Sequence, residues 1–255
     1  MYPILVEIGS FKIYSVGAFL ALGAIVAGVF YYYTAKKRGM KTNHIFDTVL
    51  YVMLLSLFLG RFGYLIVYHD QFQGIKDILS YWRGGLLALP GMIVSFLLII
   101  YILKRHQEPI FRSLDIIGLG FLLAWSVGKV GCHLSTCTVG RPWTGFLSLD
   151  GVYPVDLLSS FLMVFLFIAL YIIYLTSRIR EGVIFFLTIE GFFLGEMLLK
   201  ILRADFGTPL SRYESIAYLS LVTGIYLTFW LIFGPGFKYK KDQEESIPIK
   251  PNNNV

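Results

Sequence analysis

Charged residues are scarce in this sequence. Only 15% of its 255 residues are Asp, Glu, Lys or Arg, whereas 56% are hydrophobic. A typical soluble domain carries about 25% charged residues, and the mean hydropathy of +0.70 is too high for such a domain. The shortage of charge therefore excludes a soluble globular protein and indicates an integral membrane protein.

Cysteine and histidine are also rare, with two and four copies. Cys132 and Cys137 with His133 leave a closed tetrahedral zinc site one ligand short, so we expect neither a metal nor a cofactor. The two cysteines are small packing residues, part of a Cys–His nucleophile pair, or a disulfide. A disulfide requires the helix to end between them, because helical i, i+5 spacing separates their Cβ vectors.

What the sequence has instead is long apolar runs. A bilayer core about 30 Å thick requires roughly 20 apolar helical residues to cross it, and seven such segments are present. The predicted spans run over 13–35, 47–69, 85–103, 114–136, 154–177, 182–202 and 213–236. The predicted fold is therefore all-α, a single seven-helix transmembrane domain over 1–236. Its remaining parts are a short outer arm at 1–12, outer loops at 70–84 and 137–153, and a polar tail at 237–255.

The basic residues near the ends of these spans are unevenly distributed. Thirteen lysines and arginines fall on the side that includes the tail, and six fall on the other side. The positive-inside rule then predicts an outer N-terminus and a cytoplasmic C-terminus. This topology, together with anionic inner-leaflet lipid, accounts for the net charge of +6 without a nucleic-acid partner.

Five ionisable residues stand out within the predicted spans, namely Arg61, Lys129, Glu190, Glu196 and Lys200. Each costs about 2.5–3.5 kcal/mol at a helix centre, so such residues face a protein interior or a wet cavity. Glu196 and Lys200 have the i, i+4 spacing that favours an ion pair, which is either structural or faces a substrate. We therefore predict a polar site inside the bundle.

A second group of polar residues lies at the end of the fourth predicted span and just beyond it. Lys129, His133 and Cys137 share a helix face for as long as the helix continues. Arg141 comes next, within "TVGRPWTG", whose Gly, Pro and Trp residues are typical of a helix end at the bilayer interface. Its guanidinium suits bidentate phosphate contact, and simple snorkelling to lipid headgroups is the alternative.

Several motifs resemble one family. These are "PILVEIGSFKIYSVG" at 3–17, "GRFGYLIVY" at 60–68, "YWRGGLLALPG" at 81–91, "GKVGCHLSTCTVGRPW" at 128–143, "YPVDLLSS" at 153–160 and "EGFFLGEMLLKILRAD" at 190–205. In order and spacing they are similar to the bacterial prolipoprotein diacylglyceryl transferases. The resemblance implies a seven-helix enzyme of the bacterial inner membrane. It would transfer a diacylglyceryl group from phosphatidylglycerol to the thiol of a lipoprotein-precursor cysteine and release glycerol phosphate.

The resemblance also assigns candidate site residues. Lys129 stands where the family has a phosphate-binding arginine, and Arg61, Gly140 and Arg141 match family positions. With Arg203, these cations are expected to form one pocket for the lipid headgroup. Carried over in this way, the candidate catalytic residues are Lys129, His133 and Arg203, and the candidate substrate-binding residues are Arg61, Gly140, Arg141 and Glu196.

The sequence departs from the family pattern at several positions. Leu89 replaces the family's essential histidine, and Val16 replaces the usual tyrosine of the first span. Glu196 and Lys200 carry charges exchanged relative to the family's sixth span. His133, one turn beyond Lys129, is a candidate to supply the missing imidazole.

Three functions agree with these features. The first is the transferase reaction itself, with phosphatidylglycerol or a related anionic phospholipid and a lipoprotein-precursor peptide as partners in the bilayer. The second is a sister transferase that uses another lipid or acceptor. The third is a catalytically inert lipid-binding or assembly protein whose buried charges are structural. A small-solute transporter is disfavoured because the sequence shows no inverted repeat or paired broken helices.

Overall fold

A computed structural model describes residues 3–8, 11–43, 45–67, 88–146, 148–176 and 179–233. The described part of the chain forms a β-hairpin followed by seven α-helices. The elements are β1 (Ile4–Ile8), β2 (Phe11–Tyr14), α1 (Ser15–Lys37), α2 (Ile45–Val67), α3 (Ala88–Arg105), α4 (Ile110–Leu134), α5 (Val155–Thr176), α6 (Val183–Lys200) and α7 (Pro209–Phe233). The predicted loop at 70–84 and the predicted tail at 237–255 lie outside the described residues.

Each helix coincides with one predicted span, so the helical architecture is confirmed. The largest shifts are at the starts of α4 and α7, which begin at 110 and 209 rather than at 114 and 213. Four of the helices are long and apolar enough to cross a membrane, by length and composition. They are Ser15–Lys37, Ile45–Ile66, Ile110–Leu134 and Val155–Thr176.

The N-terminal arm is a β-hairpin that the all-α prediction missed. β1 and β2 are antiparallel, and Glu7 pairs with Lys12 directly across the ladder. Their side chains form an exposed ion pair of 2.7 Å, and the hydrogen bond from Lys12 to Glu7 raises the pKa of this lysine. Such a cross-strand pair favours the hairpin register. The hairpin continues to Tyr14, two residues beyond the predicted arm.

Helices α1 and α4 pack closely and run antiparallel. A Cβ at Gly23 would lie 2.7 Å from the carbonyl oxygen of Ala124, and one at Gly131 would lie 2.5 Å from Cβ of Phe19. Small residues at such positions let two membrane helices approach to backbone contact. Because Phe19 meets Gly131 and Gly23 meets Ala124, the start of α1 lies beside the end of α4.

The hydrophobic core lies among α4, α5, α6 and α7. Its buried members are Leu119, Leu122, Met163, Leu170, Ile184, Phe192, Phe193 and Val222. Phe192 makes edge-to-face contacts with Phe121 and Trp125, each at 4.8 Å between ring centroids. This core fixes the wall that carries Lys129 on α4 and Glu196 on α6.

The opposite end of the bundle is held by Asp115. Its carboxylate accepts hydrogen bonds from the backbone N–H groups of Gly182, at 2.7 Å, and Phe185, at 2.8 Å. It therefore caps the first turn of α6, whose own N-cap is a glycine, by supplying acceptors to N–H groups that have no helical partner. Nearby, the Arg38 guanidinium lies 4.6 Å from the ring centroid of Tyr174, so the ends of α1 and α5 meet the starts of α4 and α6.

Candidate functional site

Lys129 lies in the last two turns of α4 and is held by residues of two other helices. Its Nζ atom is 3.2 Å from Oδ1 of Asp156 on α5 and 3.6 Å from Oε2 of Glu196 on α6. The same ammonium lies 5.6 Å from the ring centroid of Trp125, one turn earlier on α4. The exposed fraction is 15% for the Lys129 side chain and 2% for that of Asp156. We call Lys129, Asp156 and Glu196 the charged cluster.

Glu196 is fixed by hydrogen bonds from both neighbouring helices. Trp125 Nε1 donates to its Oε1 atom at 2.9 Å, and the Ser159 hydroxyl donates to the same oxygen. The i, i+4 spacing had favoured Lys200 as the ionic partner, but the described contacts of Glu196 join it to Lys129. Lys200 is 2% exposed, with its ammonium 5.2 Å from the ring centroid of Tyr218.

The charged cluster holds one ammonium and two carboxylates, so it carries one surplus negative charge when all three groups are ionised. The 3.6 Å contact with Glu196 is too long for a hydrogen bond, and Asp156 accepts a hydrogen bond from Lys129. A lysine ammonium has three N–H donors. The described contacts therefore leave donor capacity on Lys129 for a ligand.

A cavity of about 2610 Å³ lies against this cluster. Its described lining comes from β2 and from α1, α2, α3, α4, α6 and α7, and is mainly apolar. Along α4 the lining extends over about 28 Å from Ile110 to Lys129, at 1.5 Å per residue, and continues to Cys132. The cavity exceeds the 300–1,000 Å³ of ordinary small-molecule pockets, and its length approaches that of a bilayer core, about 30 Å. Its dimensions suit long alkyl chains.

The charged side chains on the described cavity wall lie near one end of it. The charged residues among the described lining are Lys12, on β2, and Lys129. Cys132 and Cys137 line the same cavity, and Cys137 is exposed. Val16 also lies on this wall, at the position that the resemblance equates with the family's tyrosine.

A second group of candidate residues forms a backbone platform just beyond α4 and α6. Gly140 and Arg203 form an antiparallel bridge, and the N–H of Arg141 donates to the carbonyl of Leu202 at 2.8 Å. A Cβ at position 140 would collide with the carbonyl of Tyr153. The glycine at 140 is therefore required by close backbone approach, which explains its place in the motif.

The two arginines of this platform are engaged with their neighbours. Arg203 contacts the carboxylate of Asp205 through two nitrogens, at 2.9 and 2.7 Å. Arg141 donates from Nε to the carbonyl of Arg203 at 3.3 Å, and its guanidinium lies 5.1 Å from the ring centroid of Phe206. Neither arginine is among the described residues that line the cavity.

The remaining predicted residues lie elsewhere. Arg61 is 3% exposed, with its guanidinium 5.9 Å from the ring centroid of Tyr64 on α2. The carbonyl of His133 accepts a hydrogen bond from the N–H of Thr136. The described contacts place Arg61 and His133 with neither the charged cluster nor the platform, and neither is in the described cavity lining. The side chain of Leu89 lies outside the described residues.

Three residues of the site were missed from the sequence, namely Asp156, Trp125 and Ser159. Asp156 had one usable signal, because it is an acidic residue in the first turn of a predicted span and within the motif "YPVDLLSS". Trp125 lies one turn before Lys129 and therefore on the same face. Ser159 lies in the same motif, but as a small uncharged residue it did not stand out.

The thiols of Cys132 and Cys137 are free and interact with each other. A hydrogen bond from the Cys132 thiol lowers the pKa of the Cys137 thiol. This interaction favours the thiolate of Cys137, the nucleophilic form of cysteine.

Comparison with known proteins decides the family. A family model described as prolipoprotein diacylglyceryl transferase matches residues 3–233. This chain belongs to the prolipoprotein diacylglyceryl transferase family. It is 25% identical over 236 residues to a phosphatidylglycerol–prolipoprotein diacylglyceryl transferase of Clostridium tetani, covering 88% of this chain and 94% of that protein.

Two further relatives with the same description show how the similarity is distributed. The protein of Halalkalibacterium halodurans is 26% identical over 274 residues, covering 98% of this chain and 93% of that protein. The protein of a Wolbachia from Culex pipiens is 30% identical over 150 residues, which cover 55% of this chain and 56% of that protein. Membership of this transferase family, with the apolar helices, identifies an integral membrane protein.

Proposed function

We propose that this chain transfers the diacylglyceryl group of phosphatidylglycerol to the thiol of a prolipoprotein cysteine in the bacterial inner membrane. The observation that carries the proposal is the position of Lys129 on the wall of a long apolar cavity, with two carboxylates of the charged cluster behind it. The relatives from Clostridium tetani and Halalkalibacterium halodurans bear names that state this donor and this acceptor.

In this proposal the cavity holds the lipid donor. Its apolar wall takes the two acyl chains, because apolar surface removed from water and packed against alkyl chains stabilises the complex. The phosphate lies at the Lys129 ammonium, which binds phosphate as a point charge without the bidentate geometry of arginine. Lys12, on the same wall, forms an exposed ion pair with Glu7 among the described residues, and in the proposal its ammonium also contacts the headgroup.

The transfer step requires a thiolate and a stabilised leaving group. The sulfur of the acceptor cysteine attacks the glycerol carbon that carries the phosphate ester. A carbon–sulfur bond forms, the carbon–oxygen bond breaks, and glycerol phosphate leaves with the electron pair. Lys129 stabilises the negative charge that grows on the phosphate. The thiol proton passes to a carboxylate of the charged cluster, which acts as the proton acceptor. The resemblance assigns an essential role to a histidine that this chain lacks, and the carboxylate replaces it in this step.

The predicted topology implies that the site lies on the outer side of the membrane. With seven spans and an outer N-terminus, the hairpin, the charged cluster and the Gly140 platform lie towards the outer leaflet. The Asp115 cap and Arg38 then lie towards the cytoplasm, where lysines and arginines are enriched. In this proposal the acceptor cysteine reaches the site from that outer side.

A catalytically inert lipid-binding protein is the second candidate. It is favoured by the largely buried contact of Lys129 with Asp156, since buried ion pairs also occur as purely structural elements. In that case the cavity retains lipid, and the substitutions of charged residues alter folding without removing any turnover.

A transfer assay separates the two candidates. The purified protein is incubated with phosphatidylglycerol and a peptide that bears the precursor cysteine, and glycerol phosphate release and the peptide's mass are measured. We expect equal amounts of both products from the wild type, none from Lys129→Ala, and reduced turnover from Lys129→Arg. Lys104→Ala, an exposed lysine at the other end of the bundle, is the matched control and should retain activity. A folded wild type that yields neither product would refute the transferase proposal.

A further inference from the structure

The end of α4 has a backbone geometry that brings its two cysteines together. The N–H of Cys137 donates to the carbonyl of Cys132 at 3.0 Å, and the N–H of Thr136 donates to the carbonyl of His133 at 3.3 Å. Thr136 adopts a left-handed conformation, with φ of +56°. These are the two hydrogen bonds and the left-handed residue of a Schellman motif, in which Cys132 is the C3 residue and Cys137 is the C″ residue.

The motif determines which side chains meet. In a Schellman motif the side chains of C3 and C″ commonly contact each other, because the turn folds the chain back over the last helical turn. Here both positions are cysteines. The helix ends at Leu134, between the two cysteines, so the helical spacing that would have kept their Cβ vectors apart does not apply.

The surroundings favour thiol chemistry at this place. Cys137 is exposed and its pKa is lowered by the hydrogen bond from Cys132, so it is the accessible and more nucleophilic thiol of the two. Both sulfurs belong to residues that line the same cavity wall as Lys129. Thr136 is β-branched and left-handed, a combination that is rare unless its neighbours hold it.

We propose that Cys132 and Cys137 are a redox-active pair that closes a reversible disulfide at the wall of the lipid cavity, with a disulfide-bearing oxidant as its partner. Cys137 thiolate attacks one sulfur of the oxidant and releases one thiolate. Cys132, after losing its proton, then attacks the Cys137 sulfur and releases the second thiolate. The two cysteines lose two electrons and two protons, and the oxidant becomes two thiols.

We expect the disulfide to stabilise the turn that leads to the platform. Residues 139–141 continue directly from this turn and pair with 202–204. A crosslink at 132 and 137 removes conformational freedom from the unfolded chain and holds the left-handed Thr136 in place. We therefore expect oxidation to raise the Tm. If the proposed transferase function holds, we expect it also to lower the KM for the lipid with little change in kcat, because Lys129 itself is unaltered.

The test uses the full chain in detergent, equilibrated with reduced or oxidised glutathione and then alkylated. Mass spectrometry of the intact protein gives the number of alkyl groups and any change in mass. The wild type should carry two alkyl groups when reduced, and none when oxidised, with a mass lower by two hydrogens. A Cys137→Ser, Thr138→Cys double variant keeps two cysteines but moves one of them from the C″ position to the next residue, and it should form glutathione adducts instead. Two glutathione adducts on the wild type, or two thiols unchanged by oxidised glutathione, would overturn the proposal.

A second measurement tests whether the disulfide stabilises this turn. Oxidation should raise the Tm of the wild type but not that of Cys132→Ser or Cys137→Ser. An unchanged Tm in the oxidised wild type would show that the disulfide does not stabilise the turn. The lipid KM is compared between the two redox states of the wild type. If neither state yields product, the transferase proposal fails, whereas alkylation and Tm still decide the present inference.

Discussion

The ammonium of Lys129 lies 3.2 Å from Oδ1 of Asp156, across the interface between α4 and α5. Asp156 is almost fully buried, and its partner is 27 residues away in the chain. A buried charge is tolerated only when it is paired and hydrogen-bonded. The position of the lysine that we assign to the phosphate is therefore coupled to the packing of α5 against α4.

Asp156→Asn tests this coupling through stability. The amide oxygen can still accept from Lys129, but the substitution removes the negative charge that pairs with the ammonium and buries an NH2 group in its place. We expect the free energy of unfolding to fall by about 1–3 kcal/mol, the cost of an unsatisfied buried polar group. Thermal unfolding in detergent measures the change. Asp47→Asn, at an exposed position in the first turn of α2, should stay within about 0.5 kcal/mol, and equal effects of the two substitutions would contradict the coupling.

Glu196→Gln tests the charged cluster as proton acceptor. The amide oxygen still accepts from Trp125 and Ser159, so the fold should be retained, but the surplus negative charge disappears. We expect kcat for diacylglyceryl transfer to fall by about 10²–10⁴-fold, the usual contribution of general acid–base catalysis. Glu190→Gln, on the same helix, is the control and should keep kcat within a few-fold. An unchanged kcat in Glu196→Gln would remove Glu196 from the mechanism.

Gly140→Ala tests the platform. The added methyl group collides with the carbonyl of Tyr153, so the segment that carries Arg141 must move. We expect a loss of about 1–3 kcal/mol in unfolding free energy, as for other overpacked sites, and a higher KM for the lipid. Gly224→Ala, which meets nothing within 4 Å, should be neutral or slightly stabilising. If Gly140→Ala keeps the wild-type KM, the platform has no part in lipid binding.

The reactivity of Cys137 should depend on pH in a defined way. Because its pKa is lowered by the hydrogen bond from Cys132, the thiolate is present at lower pH than for an ordinary cysteine. The alkylation rate should therefore begin to rise at a lower pH. In Cys132→Ala the donor is lost, and the midpoint of the alkylation profile should move to higher pH. Iodoacetamide labelling followed by peptide mapping measures both profiles. A midpoint that stays in place would show that Cys132 does not activate Cys137.

The helices were predictable because each is specified by a local property, the length of an apolar run. Each predicted span corresponds to one of the helices α1 to α7, with small shifts at the ends. The hairpin was not predicted, because its short strands give a weak local signal and depend on cross-strand partners such as Glu7 and Lys12.

The candidate site was only partly predictable. Lys129 and Glu196 were identifiable because charges inside apolar runs are conspicuous. Their partners were not, because Trp125 and Ser159 reach Glu196 from 71 and 37 residues away. The spacing of Glu196 and Lys200 favoured a pair on one helix, but contacts between helices directed Glu196 to Lys129 and Lys200 to Tyr218. The predicted pocket of cations is divided by similar contacts between neighbouring segments. Arg141 and Arg203 are held on the platform, whereas Lys129 lies in the charged cluster.

The most direct test of the account is lipid retention measured by native mass spectrometry. Wild type, Lys129→Ala and Lys104→Ala are each exposed to phosphatidylglycerol and to diacylglycerol with the same acyl chains. If Lys129 holds the phosphate, Lys129→Ala loses phosphatidylglycerol and keeps diacylglycerol, whereas the other two proteins retain both. Equal retention of phosphatidylglycerol by wild type and Lys129→Ala would contradict the central claim.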